Sequence, residues 1–231
     1  PEACSYGGDE GIFGFGDASG GITAITNLVS NAGVVSTDVT GVGTARNGLS
    51  ACEYGGDKGI FGFGTVGGGG SGVRGMTNLV SNAGVVASDV SAVGTAREHP
   101  EACSYGGDKG IFGFGKDAST YTAVTNLVSN SGVVASDTTG VGTARQALAA
   151  CEYGTDTAIF GFGHGSSLVS TTNLVTNAGV VGTDVTGVGT VRYILAACSY
   201  GYDKGIFGFG TDAPAGGGNL SMTNLVSNAG V

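Results

Sequence analysis

The sequence predicts an all-β protein: a five-bladed β-propeller of four-stranded antiparallel blades, the last of them incomplete. Three observations carry this reading. The stretch Gly11-Ile12-Phe13-Gly14-Phe15-Gly16 returns at residues 59–64, 110–115, 158–163 and 205–210, and all ten phenylalanines of the chain lie in it. Cys4, Cys52, Cys103, Cys151 and Cys198 mark five copies at steps of 48, 51, 48 and 47 residues. That period fits four short strands per unit and is long for one coil of a β-helix. No segment carries an apolar stripe at helical spacing between caps.

Composition narrows the class further. A repeat running through all 231 residues argues for a single array, with units near 1–39, 47–90, 98–138, 146–185 and 193–231. The 48 glycines show no Gly-X-Y period and recur at fixed repeat positions, so they read as turn and packing sites rather than collagen or linker. The formal net charge is -9, and the nine Lys and Arg never cluster, so nucleic acid is a poor partner. No stretch approaches the roughly 20 apolar residues that a membrane-crossing helix needs, so no membrane insertion is expected.

Within a unit, strand a is expected over residues 49–54, and Gly55-Gly56-Asp57-Lys58 turns it into strand b at residues 59–64. Glycine and aspartate suit so tight a hairpin. Strand c follows at residues 76–81, the turn Asn82-Ala83-Gly84 reverses the chain, and strand d is expected over residues 85–90. A polar connection then leads to the next strand a. Side-chain alternation along strand b predicts that Phe13 and Phe15 leave one face while Ile12 and Gly14 leave the other. One face would be aromatic and the other flat, which suits a sheet packed between two like sheets.

The last copy stops at Val231, the equivalent of Val180, so its strand d has no counterpart. The expectation is that closure relies on further residues or on packing between units one and five. An unpaired edge there would favour association with another chain.

The small-residue strand ending in Tyr54-Gly55-Gly56, the strand Ile60-Phe61-Gly62-Phe63-Gly64, the hairpin around Asn82-Ala83-Gly84 and the segment Thr95-Ala96-Arg97 together resemble a kelch-type blade in every copy. The chain departs from that pattern in having Phe-Gly where kelch blades carry a Gly-Gly doublet, and in having no Trp. The near-identity of the copies is also similar to amplified propellers of phage and aquatic microbes. That second resemblance implies a virion or extracellular surface component.

Several constellations invite chemistry. The five cysteines sit one per unit, and packed sheets are about 10 Å apart, whereas a disulfide needs Cα atoms about 4.4–6.8 Å apart. They are read as small buried hydrophobes, without Cys-x-x-Cys or His spacing for a metal. Asp38, Asp89, Asp137 and Asp184 are each followed eight residues later by Arg46, Arg97, Arg145 or Arg192, which predicts one ion pair per unit, with a central anion site from the Arg set as the functional rival. Asp9, Asp57, Asp108, Asp156 and Asp203 are read as turn formers. The glycine runs at 67–70 and 216–218 lack the Lys-Ser/Thr of a phosphate loop and are read as loops. No cofactor is implied, and no Ser, His and Asp combination recurs as a nucleophile would require.

The functional signal is where the copies differ. In an antiparallel meander the a-to-b and c-to-d turns share one end, and the other two connections share the opposite end. The first end is nearly constant, whereas the b-to-c links and the residues just after each Arg vary. A rigid scaffold displaying varied loops is a common design for binding. The sequence therefore predicts a non-enzymatic binding module for a glycan or a protein surface, with candidate contacts Tyr121, Arg74, Lys116, His164, Asp212 and Tyr193. The rival reading is a structural subunit that self-associates into a virion part or filament. A channel hydrolase has no residue support.

Overall fold

The computed structural model describes residues 1–67, 71–213 and 218–231. Its strands are β1 (Glu2–Tyr6), β2 (Glu10–Ala18), β3 (Gly21–Val29), β4 (Ser50–Tyr54), β5 (Lys58–Gly62), β6 (Thr77–Val80), β7 (Glu101–Tyr105), β8 (Lys109–Gly113), β9 (Thr125–Val128), β10 (Ala149–Tyr153), β11 (Thr157–Gly161), β12 (Thr172–Val175), β13 (Ala196–Tyr200), β14 (Lys204–Gly208) and β15 (Thr223–Val226). No helix occurs among the described residues. Five antiparallel sheets of three strands result, in the orders β1-β2-β3, β4-β5-β6, β7-β8-β9, β10-β11-β12 and β13-β14-β15. The register repeats from sheet to sheet: Cys52 faces Ile60, and Phe61 faces Asn78 on the other side.

The expected fourth strand is not formed. The backbone of the segment after the c-to-d turn pairs with strand c at isolated bridges rather than along a ladder, Val86 with Val80 and Val90 with Thr77 in the second unit. The reason is a side chain that occupies the ladder's place. Asn78 Nδ2 donates to the Ala87 carbonyl at 3.1 Å and to Asp89 Oδ1 at 2.9 Å, and Asn126 and Asn173 repeat the pattern. Asparagine here supplies the bonds that a continuous ladder would otherwise make.

The two phenylalanines of each motif do not share a face. Phe15, Phe63, Phe114, Phe162 and Phe209 all have φ between 59° and 64°, and this left-handed residue turns the chain so that the second ring joins Ile12 and Gly14 on the opposite side from Phe13. Consecutive sheets then meet ring to ring at interplanar angles of 58–64°: Phe15 on Phe61 at 5.2 Å, Phe63 on Phe112 at 5.1 Å, Phe114 on Phe160 at 5.2 Å and Phe162 on Phe207 at 5.4 Å. Each contact anchors one of four apolar clusters, one per junction between sheets. Glycines serve both faces: a Cβ on Gly62 would lie 2.6 Å from Phe112 Cζ, and one on Gly59 would lie 2.6 Å from Cys4 Sγ.

The arginines seal the same junctions. Arg46, Arg97, Arg145 and Arg192 are fully buried, each with its guanidinium 3.9–4.4 Å from the centre of a Phe ring. Arg145 Nε donates to the Phe162 carbonyl at 2.7 Å, Nη1 to Thr143 O at 2.9 Å and Nη2 to Asn173 Oδ1 at 2.7 Å. The predicted Asp–Arg pair is corrected: among the described residues the one approach within 4.0 Å is Arg145 to Asp184, at 3.9 Å. Asp184 instead accepts the Thr143 hydroxyl at 2.6 Å and its backbone N–H, a contact that recurs between Asp89 and Thr44 and between Asp137 and Thr95. A threonine hydroxyl binds the carboxylate without burying a second charge, which removes the need for the pair. The arginines lie between sheets, so they form no central anion site.

The inner edge strands run side by side, β1 against β4, β4 against β7, β7 against β10 and β10 against β13. Residues from all five line one channel of about 420 Å³, including Cys4, Cys52, Cys103, Cys151 and Cys198. No comparable contact joins β13 to β1, so the row is open between the fifth sheet and the first. The five cysteines are free.

Candidate binding face

The two ends of the array differ as their sequences do. At the constant end, side chains tie the two turns together: Asn82 Nδ2 donates to Asp57, Asn130 to Asp108 and Asn177 to Asp156 at 3.0–3.2 Å. At the other end, the residue after each Phe motif sits between two variable segments. Thr65 bridges Asn47 and Val73, Lys116 bridges Glu98 and Tyr121, His164 bridges Gln146 and Leu168, and Thr211 bridges Tyr193 and Asn219. Backbone pairing therefore gathers the varied positions at one end.

Four of the six candidate contacts come together there. Tyr121 Oη and His164 Nδ1 are 3.1 Å apart, with ring centres at 5.6 Å and the planes nearly perpendicular. The Tyr193 ring also lies 5.6 Å from the His164 ring, the planes tilted at 44°. Lys116 joins through its bridge to Tyr121, and all four are partly exposed. The three rings come from three successive units, so the cluster exists only because the sheets stack. Arg74 stands apart: its Nη1 donates to the carbonyls of Gly72 and Val73, each at 3.0 Å, within its own link. Asp212 is exposed in another link, its N–H directed at Gly218 O at 3.4 Å. Residues 68–70 and 214–217, which include most of the two glycine runs, lie outside the described residues.

Tyr193 also borders a hollow of about 240 Å³ whose walls include Glu2, Glu101, Gln146, His99 and Ile194. A thread of backbone bonds links its lining residues His99, Ala147 and Ile194, from His99 N to Gly48 O at 2.7 Å, Ala147 N to His99 O at 3.3 Å and Ile194 N to Ala147 O at 2.9 Å. His99, Ala147 and Ile194 hold φ of 48–52°, a left-handed conformation that costs an L-residue about 1–2 kcal/mol. Strain of this kind concentrates at functional surfaces.

The carboxyls of the hollow were not singled out from the sequence. Burial raises Glu2 to about 7 against the opposing pull of the N-terminal amine, and burial with Glu2 nearby raises Glu101 well above the carboxylate range. Along the channel, burial, Glu53 and Asp156 raise Glu152 to about 7. A signal was present: the position two before each Cys reads Glu, Ser, Glu, Ala, Ala, so strand a varies where it approaches this end. Among the described residues, no group of three or more His, Cys, Asp and Glu converges as a metal site would. No protein-family model matches the chain, and no curated protein matches it.

Proposed function

We propose that this chain is a non-enzymatic binding module of kelch-like propeller architecture that recognises a glycan through its variable end, as part of a virion or a cell-surface appendage. One observation carries the reading. Tyr121, His164 and Tyr193, each from a position that differs between copies, form one partly exposed aromatic surface on an otherwise repeated scaffold. Tyrosine offers a flat apolar face and a hydroxyl on a side chain with little conformational freedom to lose. Such faces suit the apolar side of a sugar ring, and Lys116 and the hollow bordered by Tyr193 add polar contacts. The stacking of inner strands around one channel supports the propeller reading, with an asparagine-bridged segment standing where a fourth strand would be.

The test is a screen of the purified chain against immobilised glycans, followed by titration of any hit. Tyr121→Ala and Tyr193→Ala are each expected to weaken binding at least tenfold, about 1.4 kcal/mol or more, while Asn82→Ala at the constant end leaves it unchanged. Binding that survives both tyrosine substitutions, or that is lost with Asn82→Ala, would remove the variable end from the interaction. Hits among proteins alone would move the ligand class to a protein surface.

A further inference from the structure

The junction between sheets is built four times within the chain, and at each end one half of it stands uncovered. On the fifth sheet Phe209 is 61% exposed and Leu225 65%, whereas Phe15, Phe63, Phe114 and Phe162 are at most 3% exposed. On the first sheet Phe13 is 44% exposed, whereas Phe61, Phe112, Phe160 and Phe207 are at most 1%. We propose that a second copy of this chain docks its first sheet onto the fifth sheet of the first, so that the chains associate head to tail through the same surfaces that join their own sheets.

The orphaned groups match one for one. Inside the chain, a Phe15-type ring meets a Phe13-type ring of the following sheet; the unpaired members are Phe209 and Phe13. Inside the chain, a Cys sulfur fills the space above a strand-b glycine of the next sheet, as Cys4 does at Gly59 and Cys151 at Gly205; Cys198 is exposed, and no sulfur lies within 4 Å of the position a Cβ would take on Gly11. The c-to-d turns cap side chains of the preceding sheet: Gly84 meets Tyr6 and Leu28, Gly132 meets Tyr54 and Leu79, Gly179 meets Tyr105 and Leu127, and Gly230 meets Tyr153. Tyr200 and Leu225 are uncapped, and Gly33 touches nothing within 4 Å.

Main-chain bonds follow suit. Gly7, Gly55, Gly106 and Gly154 donate to the carbonyls of Asp57, Asp108, Asp156 and Asp203 at 2.7–2.9 Å. Among the described residues Gly201 has no such acceptor and the Asp9 carbonyl no such donor. The surface is thus continuous with an interface that the same sequence already forms, and it pairs unlike faces. That makes the contact heterologous, so growth continues until a ring closes or a filament forms.

Two substitutions separate this from any other association. Phe209→Asp blocks the fifth-sheet face and Phe13→Asp the first-sheet face; both side chains are exposed, and matched circular dichroism melts verify that the fold is kept. By sedimentation equilibrium the unaltered chain is expected to grow in mass with concentration, and each variant to stay monomeric alone. An equimolar mixture should form a dimer and stop there, because one partner keeps each intact face. In that mixture Cys198 of the Phe13→Asp chain should become slow to react with a soluble thiol reagent. A monomeric parent chain at the highest attainable concentration, variants that still associate alone, or a mixture that does not pair would each overturn the proposal. So would a parent chain that protects Cys198 while monomeric, since it would have closed on itself.

Discussion

The Arg145 guanidinium lies 4.1 Å from the centre of the Phe114 ring of one sheet while its Nε donates to the Phe162 carbonyl of the next, 2.7 Å away. One side chain thus fastens two sheets. The ring face attracts the cation, and the carbonyl and the Asn173 amide take its donors, so the charge is buried without a carboxylate in direct contact. Burial still opposes it, and holds the group down at about 10, with Asp184 pulling the other way. At neutral pH the arginine therefore remains charged inside the junction.

Replacing Arg145 with Met keeps much of the volume but leaves the acceptors at Phe162, Thr143 and Asn173 without donors. A buried unsatisfied group costs about 1–3 kcal/mol, so Arg145→Met is expected to lower unfolding stability by about 3 kcal/mol in a denaturant titration. Arg145→Lys should not rescue it, since an ammonium cannot spread over the ring while reaching three separated acceptors. A loss below about 0.5 kcal/mol, the range of ordinary surface changes, would mean that the ring contact and hydrogen bonds do not hold the junction.

Equivalent glycines should respond differently according to whether a neighbour sheet is present. A Cβ on Gly62 or Gly113 would lie 2.6–2.8 Å from a Phe Cζ of the next sheet, while at Gly208 the nearest atom is Thr223 Cγ2 at 3.5 Å. Overpacking a filled site costs about 1–3 kcal/mol. Gly62→Ala and Gly113→Ala are expected to destabilise within that range, and Gly208→Ala to be nearly neutral, in thermal melts at concentrations where the chain is monomeric. Equal losses at all three would place a sheet against Gly208 as well.

The repeat made most of this legible in advance. Five copies, strands a to c and the hairpin turns followed from spacing and from Gly, Asp and Asn at the reversals, because those features are local. The direction of the second Phe was not legible, since alternation presumes extended backbone, and Phe63 takes φ of 64°. The fourth strand failed for a related reason: its sequence, rich in Val, suits a strand, but Asn78 bonds Ala87 and Asp89 across the gap. At the variable end, spacing identified which positions differ, and Tyr121, His164 and Tyr193 do meet. Glu2 and Glu101 escaped notice because a carboxylate on a strand reads as solvated until packing partly encloses it.

Those carboxyls set the dependence of stability on pH. Glu2 and Glu152 rise from 4.5 to about 7, burial being the main cause, and Glu53 and Glu101 are raised as well. A folded value above the unfolded one means that the folded chain holds the proton more tightly. The stability these groups contribute is therefore complete below about 4.5 and is lost as pH rises through about 7. Asp89, Asp137 and Asp184 act oppositely: burial pushes them up, but hydrogen bonds from Thr and Asn prevail and hold them below 3.8. Their contribution fades only as pH falls beneath that value. The melting temperature is accordingly expected to peak at about pH 4 and to decline toward about pH 8, followed by circular dichroism at constant ionic strength. Glu152→Gln removes one of the groups responsible, so it should raise the midpoint at the alkaline end and change it little at the acid end. A midpoint that climbs from pH 5 to 8, or a Glu152→Gln chain with the slope of the parent, would show that these carboxyls reach solvent water in the folded state.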